Sequence, residues 1–225
     1  MGADQVSEMD MLGMDASTSV PERSPFGTRA EREAERAGKR EAVLRAAVRM
    51  FNARGFQATS LEDVASSLHI TKPTIYHYLG NKQQVLLECV SRGLAELRIA
   101  GEAAHASPGG GLVRLRSFLR EYARIIMDDF GRCVIRTGDE LLSAEGAEHF
   151  RALKRRIDDT MRTLIREGID DGSIAAGDER LLAFTLAGAL NWPARWHDPA
   201  GPLGSPDIAA QMVDILTAGL APRRS

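Results

Sequence analysis

Apolar residues recur along most of this chain at intervals of three and four, the period of one face of an α-helix. Val43, Ala47, Met50 and Phe51 predict a first helix from about Gly38 to Arg54, ended by Gly55. Leu61, Val64, Ala65 and Leu68 form a short second stripe. It opens on Ser60-Leu-Glu-Asp63, a capping-box pattern in which the serine oxygen accepts orphan backbone N–H groups. His69 and Ile70 make a tight turn, after which Thr71 can cap a third helix with Pro73 in its first turn, where a missing N–H costs little. On that helix Ile75, Tyr78 and Leu79 face inward, which leaves Lys72, Thr74, Tyr76 and His77 outward or on the border. Gly80 stops it, and Asn81 caps a longer helix whose inner face includes Val85, Leu86, Cys89, Gly93 and Leu97.

The pattern breaks at Ser107-Pro-Gly-Gly-Gly111 and then resumes. Helices are expected near 112–130, 138–145, 147–171, 178–197 and 206–220. With neither strand alternation nor a repeat period, the fold class is all-α.

Charge sharpens the division of the chain. Residues 1–27 carry Asp4, Glu8, Asp10, Asp15 and Glu22 against Arg23 alone and have no apolar period, so a disordered acidic leader is expected. From Thr28 to Lys82 the balance reverses, with ten Lys and Arg against six Asp and Glu. Because the whole chain is at −2, any surface for nucleic acid must be local. Aromatic residues make up only 5%, poor for an all-β protein and ordinary for a helical one.

Cys89 and Cys133 show no C-x-x-C or Cys/His spacing, so no metal site or disulfide framework is expected, and a reduced cytoplasm fits best. No apolar run approaches the roughly 18 residues of a membrane span. G-x-G-x-x-G, P-loop, H-E-x-x-H and G-x-S-x-G patterns are all missing, so the chain reads as a binding protein without a cofactor, not an enzyme.

Two short helices about a tight turn, the second with a polar outer face, have the arithmetic of a helix-turn-helix. From Val43 to Leu86 the chain resembles the TetR family of repressors. The matching residues are Ala46-Ala47, Phe51, Gly55-Phe56, Thr59-Ser60, Val64-Ala65, the run from Thr71 to Tyr78, Asn81-Lys82 and Val85-Leu86. The resemblance implies a three-helix DNA-binding domain over 28–82 and a helical ligand-binding and dimerisation domain over 83–225. By the same resemblance Thr59, Ser60, Thr71, Tyr76 and Lys82 anchor phosphates, and Lys72, Thr74 and His77 read sequence. His69 stands where relatives usually have glycine and must accept a left-handed backbone there.

The 178–197 segment is apolar nearly all round and must be buried on several sides. The family resemblance implies that the last two long helices form a homodimer interface, here Ala183, Phe184, Ala187 and Gly188 with Met212, Ile215 and Leu216. Phe118, Tyr122, Phe130, Cys133, Met161 and Trp192 are placed either to line an apolar cavity or to pack a core. The string from Asn191 to His197, then Pro202, Leu203, Pro206 and Ile208, resembles regulators of fatty-acid and sterol catabolism that bind acyl-CoA thioesters. On that resemblance Arg195 and Trp196 join Trp192 at an acyl-CoA site; otherwise all three pack the helix end below Pro193. The alternative role keeps the fold but answers a drug-like molecule, or an oxidant acting through Cys89 or Cys133.

Overall fold

The computed structural model describes residues 28–220, and the expected acidic leader lies outside them. Among the described residues there are ten α-helices, one 3₁₀ turn and no strand. By internal packing the chain divides after Ala37.

Helix α1 (Arg29–Arg54) starts nine residues before the expected Gly38. Thr28 Oγ1 accepts the Glu31 N–H at 3.2 Å and Glu31 Oε2 accepts the Thr28 N–H at 2.6 Å, a second capping box. The run that follows is Ala, Arg and Glu, all good helix formers with no apolar period to announce them.

Helix α2 (Leu61–Ser67) opens on the expected box, Ser60 Oγ accepting the Asp63 N–H at 3.0 Å and Asp63 Oδ2 accepting the Ser60 N–H at 2.8 Å. It closes in a Schellman motif: Ile70 N–H donates to Ala65 C=O at 3.0 Å and His69 N–H to Ser66 C=O at 3.2 Å. That geometry puts the C′ residue in the left-handed region, and His69 is there at φ 54°. Helix α3 (Lys72–Leu79) follows, but Thr71 does not cap it through its side chain; its hydroxyl is instead shared with Thr74 at 2.8 Å. Asn81 and Gln84 form a third box at the head of α4 (Lys82–Ala106).

Past α4 the chain runs through α5 (Gly111–Met127), α6 (Asp129–Arg136), α7 (Ala144–Asp170), α8 (Glu179–Asn191), α9 (Pro193–Trp196) and α10 (Ser205–Ala218). Three expected helices change. The 112–130 helix breaks at extended Asp128, and α6 folds back so closely that a Cβ on Gly131 would lie 1.9 Å from the Ile125 carbonyl oxygen. The 138–145 helix shrinks to a 3₁₀ turn, Asp139–Leu141, because Ser143 caps Gly146 and starts α7 there. Pro193, with no N–H to donate, divides 178–197 into α8 and α9.

One continuous apolar cluster runs from Val43 to Val213, so α4 carries the core across the expected boundary at Lys82 without interruption. Gly111 of α5 crosses Gly168 of α7 at a distance that admits no Cβ. Among the described residues no helix is long and apolar enough to cross a membrane.

Candidate nucleic-acid interface and effector cavity

Two buried anchors set the pose of α3. Ile75 and Leu79 are in the core with Tyr78 half-buried behind them, so Lys72, Tyr76 and His77 are exposed and Thr74 sits on the border. A groove of about 290 Å³ runs beside this face, lined by residues 57–63 with Tyr76 and Lys82. Lys82 lies at the head of α4, its Nζ 4.2 Å from the Phe56 ring centroid, a contact that holds the ammonium at the groove. Ser60 is in the groove too, although its hydroxyl already serves the α2 cap by donating to Asp63 Oδ2 at 2.7 Å.

Thr59 is corrected. Its side chain is 1% exposed and its hydroxyl donates to Gly55 C=O at 2.9 Å, stitching the end of α1 to the start of α2. The hydroxyl is therefore not offered to a phosphate. The residue that sequence reasoning passed over is Glu62, seen there only as part of a cap. Its Oε1 accepts the Lys72 ammonium at 2.7 Å and the Tyr76 hydroxyl at 3.1 Å, tying α2 to α3 on the exposed face. The Lys72 bond, with help from Tyr76, holds the Glu62 carboxyl below the usual range.

Behind this face α1 is clamped to two helices. Arg40 forms a two-pronged bond with Glu88 of α4, at 2.7 and 2.6 Å, and Arg92 bonds both Glu88 and Glu41. That guanidinium fork holds the Glu88 carboxyl below its ordinary range. Toward α6, Arg49 pairs with Asp129 at 2.7 Å and Asn52 Nδ2 donates to Asp129 C=O at 2.8 Å. Arg136 donates to Asn52 C=O and, at 3.2 Å, to Ala194 C=O of α9, while Arg132 donates to His197 C=O at 3.2 Å. Short α6 is thus bonded to α1 on one side and to the α9 end of the bundle on the other.

The third side of α6 borders a cavity of about 380 Å³. Val134, Ile135 and Thr137 form that wall, Leu94 and Leu97 of α4 another, and Ile157 and Met161 of α7 a third. Lys154 and Asp158 supply charge, and Phe184, Ala187 and Asn191 of α8 complete the lining. Tyr122 points its hydroxyl at Asn191 Oδ1, 2.9 Å away, and burial pushes its phenol up to about 12. Of the expected effector residues, Tyr122 and Met161 are here.

The others are elsewhere. Phe118 is fully buried, edge-on to Tyr122 at 5.8 Å. Phe130 is core, with the Arg45 and Arg92 guanidinium carbons 5.1 and 5.5 Å from its ring centroid. Cys133 is buried against Thr137 and lines a smaller cavity beside Phe51 and Phe56. Trp192, Arg195 and Trp196 do not line this cavity, and all three are exposed.

The expected interface residues divide similarly. Ala183 is corrected, because it faces the subunit's own core at 1% exposure. Phe184 and Gly188 are exposed and fall in register with Leu181 and Trp192, also exposed, to give an apolar stripe along α8. Ile215 of α10 is 75% exposed, with Met212 and Leu216 half-buried beside it. Ala187 is half-buried, and it and Phe184 belong to the cavity wall as well.

Comparison with known proteins bears on both halves. Residues 43–89 match the family model described as bacterial regulatory proteins, tetR family, and residues 110–220 match the tetracyclin repressor-like C-terminal domain. A transcriptional regulator of the TetR/AcrR family from Thermobifida fusca is 30% identical, with a TM-score of 0.61 over 83% of this chain and 100% of that one. The transcriptional repressor KstR2 of Mycolicibacterium smegmatis is 24% identical over 82% of this chain and 91% of its own length. AibR, solved in complex with isovaleryl coenzyme A and operator DNA, is similar in fold, with a TM-score of 0.68 at 24% identity over 78% of this chain and 96% of that one.

Proposed function

The chain belongs to the TetR family of DNA-binding transcriptional repressors, and we propose that the exposed face of α3, flanked by Lys82, is where it holds a palindromic operator. The observation that carries this reading is the groove in which Tyr76 and Lys82 converge beside a helix whose Lys72 and His77 are presented to solvent. A helix so exposed fits a major groove about 12 Å wide. In the proposed division of labour Ser60, Thr71, Tyr76 and Lys82 meet the backbone, whereas Lys72, Thr74 and His77 meet base edges. Two copies paired through the α8 and α10 stripes would read half-sites about 34–36 Å apart.

The effector is proposed to enter the 380 Å³ cavity. That volume is at the lower end of the roughly 300–1,000 Å³ usual for ligand pockets, and mostly apolar walls, with a tyrosine–asparagine pair and the Lys154 and Asp158 charges among them, suit an acyl or ring group with a polar end. AibR's capture of isovaleryl coenzyme A supports a thioester whose acyl part lies in the cavity and whose charged head stays outside. An occupant that displaced Val134 or Ile135 would shift α6, and with it the Asn52 and Arg49 bonds that seat α1. A coupling of about 1–3 kcal/mol between the sites changes DNA affinity roughly 5- to 150-fold.

The test is anisotropy on a duplex selected from a randomised pool, with and without a panel of acyl-CoA thioesters. Removing Tyr76 or Lys82 should weaken every sequence alike, and changing Lys72 or His77 should alter preference. A thioester that releases DNA should also raise the melting temperature. Equal binding by all four variants would refute the DNA face, and release only by unrelated apolar drugs would refute the thioester.

A further inference from the structure

Glu62 is an acid in the middle of a face proposed to meet a polyanion. Its side chain is 41% exposed, belongs to α2, and bonds two side chains of α3 that both stand among the proposed DNA contacts. One oxygen, Oε1, accepts from both the Lys72 ammonium and the Tyr76 hydroxyl, and the Lys72 Nζ also lies 5.8 Å from the Tyr76 ring centroid. A phosphate approaching either group meets a full negative charge already in hydrogen-bond contact with it. Asp63, the next residue, is committed to the cap of Ser60, and Glu62 is bonded to the groups that matter.

We propose that Glu62 is a specificity-determining residue that holds Lys72 and Tyr76 in the free protein and lowers affinity for DNA offering only its backbone. This rests on the reading that the α3 face meets DNA. Random-sequence DNA gains from this face only through phosphates, and each such contact made by Lys72 or Tyr76 replaces a bond to Glu62. A matched operator returns base contacts as well, so the carboxylate weakens the wrong partner more than the right one. Sequence-independent affinity comes from phosphate neutralisation and counterion release, with log K changing by about −0.9 per contact per decade of salt. A lysine that stays paired with Glu62 contributes nothing to that slope.

The decisive variant is Glu62→Gln, which keeps the size of the side chain and removes its charge. Binding is measured on a random-sequence duplex between about 50 and 200 mM salt, and on a duplex selected from a randomised pool by the wild-type protein. Circular dichroism melts check that the variant is folded. The expected result is about threefold to tenfold tighter binding to random DNA at low salt, a slope steeper by about 0.9, and a smaller ratio of selected to random affinity. Unchanged random-duplex affinity and slope would overturn the proposal. So would a loss confined to the selected duplex, which would make Glu62 a direct reader of bases such as cytosine. Lys72→Ala separates the two levels. If it too leaves binding unaltered, the α3 face is misassigned; if it weakens binding while Glu62→Gln changes nothing, only the role of Glu62 fails.

Discussion

The close crossing of α4 and α6 supplies a sharp prediction. A Cβ built on Gly93 lies 2.8 Å from the Phe130 carbonyl oxygen, 2.9 Å from its carbonyl carbon and 2.8 Å from Val134 Cγ2. Two of those three atoms are backbone, so Gly93→Ala must push the helices apart by roughly half an ångström to restore ordinary contact. Overpacking of this kind costs about 1–3 kcal/mol. Alanine regains about 1 kcal/mol of helix propensity, which leaves a net loss of about 0–2 kcal/mol. For a chain of this size that lowers the melting temperature by up to about 8 °C. The control is Gly38→Ala, exposed on α1 with nothing within 4 Å of its Cβ, which should gain about 1 kcal/mol. Because α6 carries Asp129 and Arg136, which bond Asn52 of α1, Gly93→Ala should also weaken DNA binding in the absence of effector. Thermal melts at equal protein concentration, followed by anisotropy, read both effects. A Gly93→Ala protein stabilised as much as Gly38→Ala, with unaltered DNA affinity, would show that the α4–α6 contact neither limits packing nor carries the signal.

Other consequences follow from the same contacts. Thr59→Val keeps the shape of a buried side chain and removes the donor to Gly55 C=O, so it should cost about 1 kcal/mol of stability and leave the DNA affinity of the folded protein unchanged; weaker binding by the folded variant to every sequence alike would return Thr59 to the phosphate contacts. Cys89 and Cys133 are both buried, and a hydrogen bond to Cys133 together with burial pushes the Cys89 thiol up. The folded protein should therefore resist a thiol reagent and peroxide, whereas the unfolded chain should label at two sites; fast labelling of the folded form would revive the oxidant-sensing alternative. Tyr122 holds its phenolic proton to about 12 when folded and lets it go near 10 when unfolded. Its contribution to stability is thus complete below pH 10 and lost as pH rises through about 12, which urea titrations across that window would detect.

Much of the DNA-facing half is legible in sequence because it is local. Ser60 with Asp63, Asn81 with Gln84, and a left-handed His69 are short-range constructions whose spacing announces them. The start of α1 was hidden for the opposite reason: a charged helix opened by Thr28 and Glu31 has no apolar stripe for periodicity to find. Cavity residues are harder still. Lys154 and Asp158 are on a helix face that reads as solvated, yet α7 packs so that they border the cavity. Trp192 and Trp196 look like lining, but Trp192 falls on the exposed stripe of α8 and Trp196 is exposed on short α9, and nothing short-range reveals which face of either helix the bundle covers. Glu62 was visible only as a capping acid, since its contacts to Lys72 and Tyr76 depend on how α3 crosses α2.

In the proposed complex DNA is held by α3, its approach from α2 and the head of α4. Hydrogen exchange of the full chain, free and saturated with duplex DNA at low salt, tests this most directly. Protection should concentrate between Gln57 and Lys82, with α8 and α10 unchanged by DNA. Protection centred on α8 and α10, with residues 57–82 exchanging as in the free protein, would contradict it.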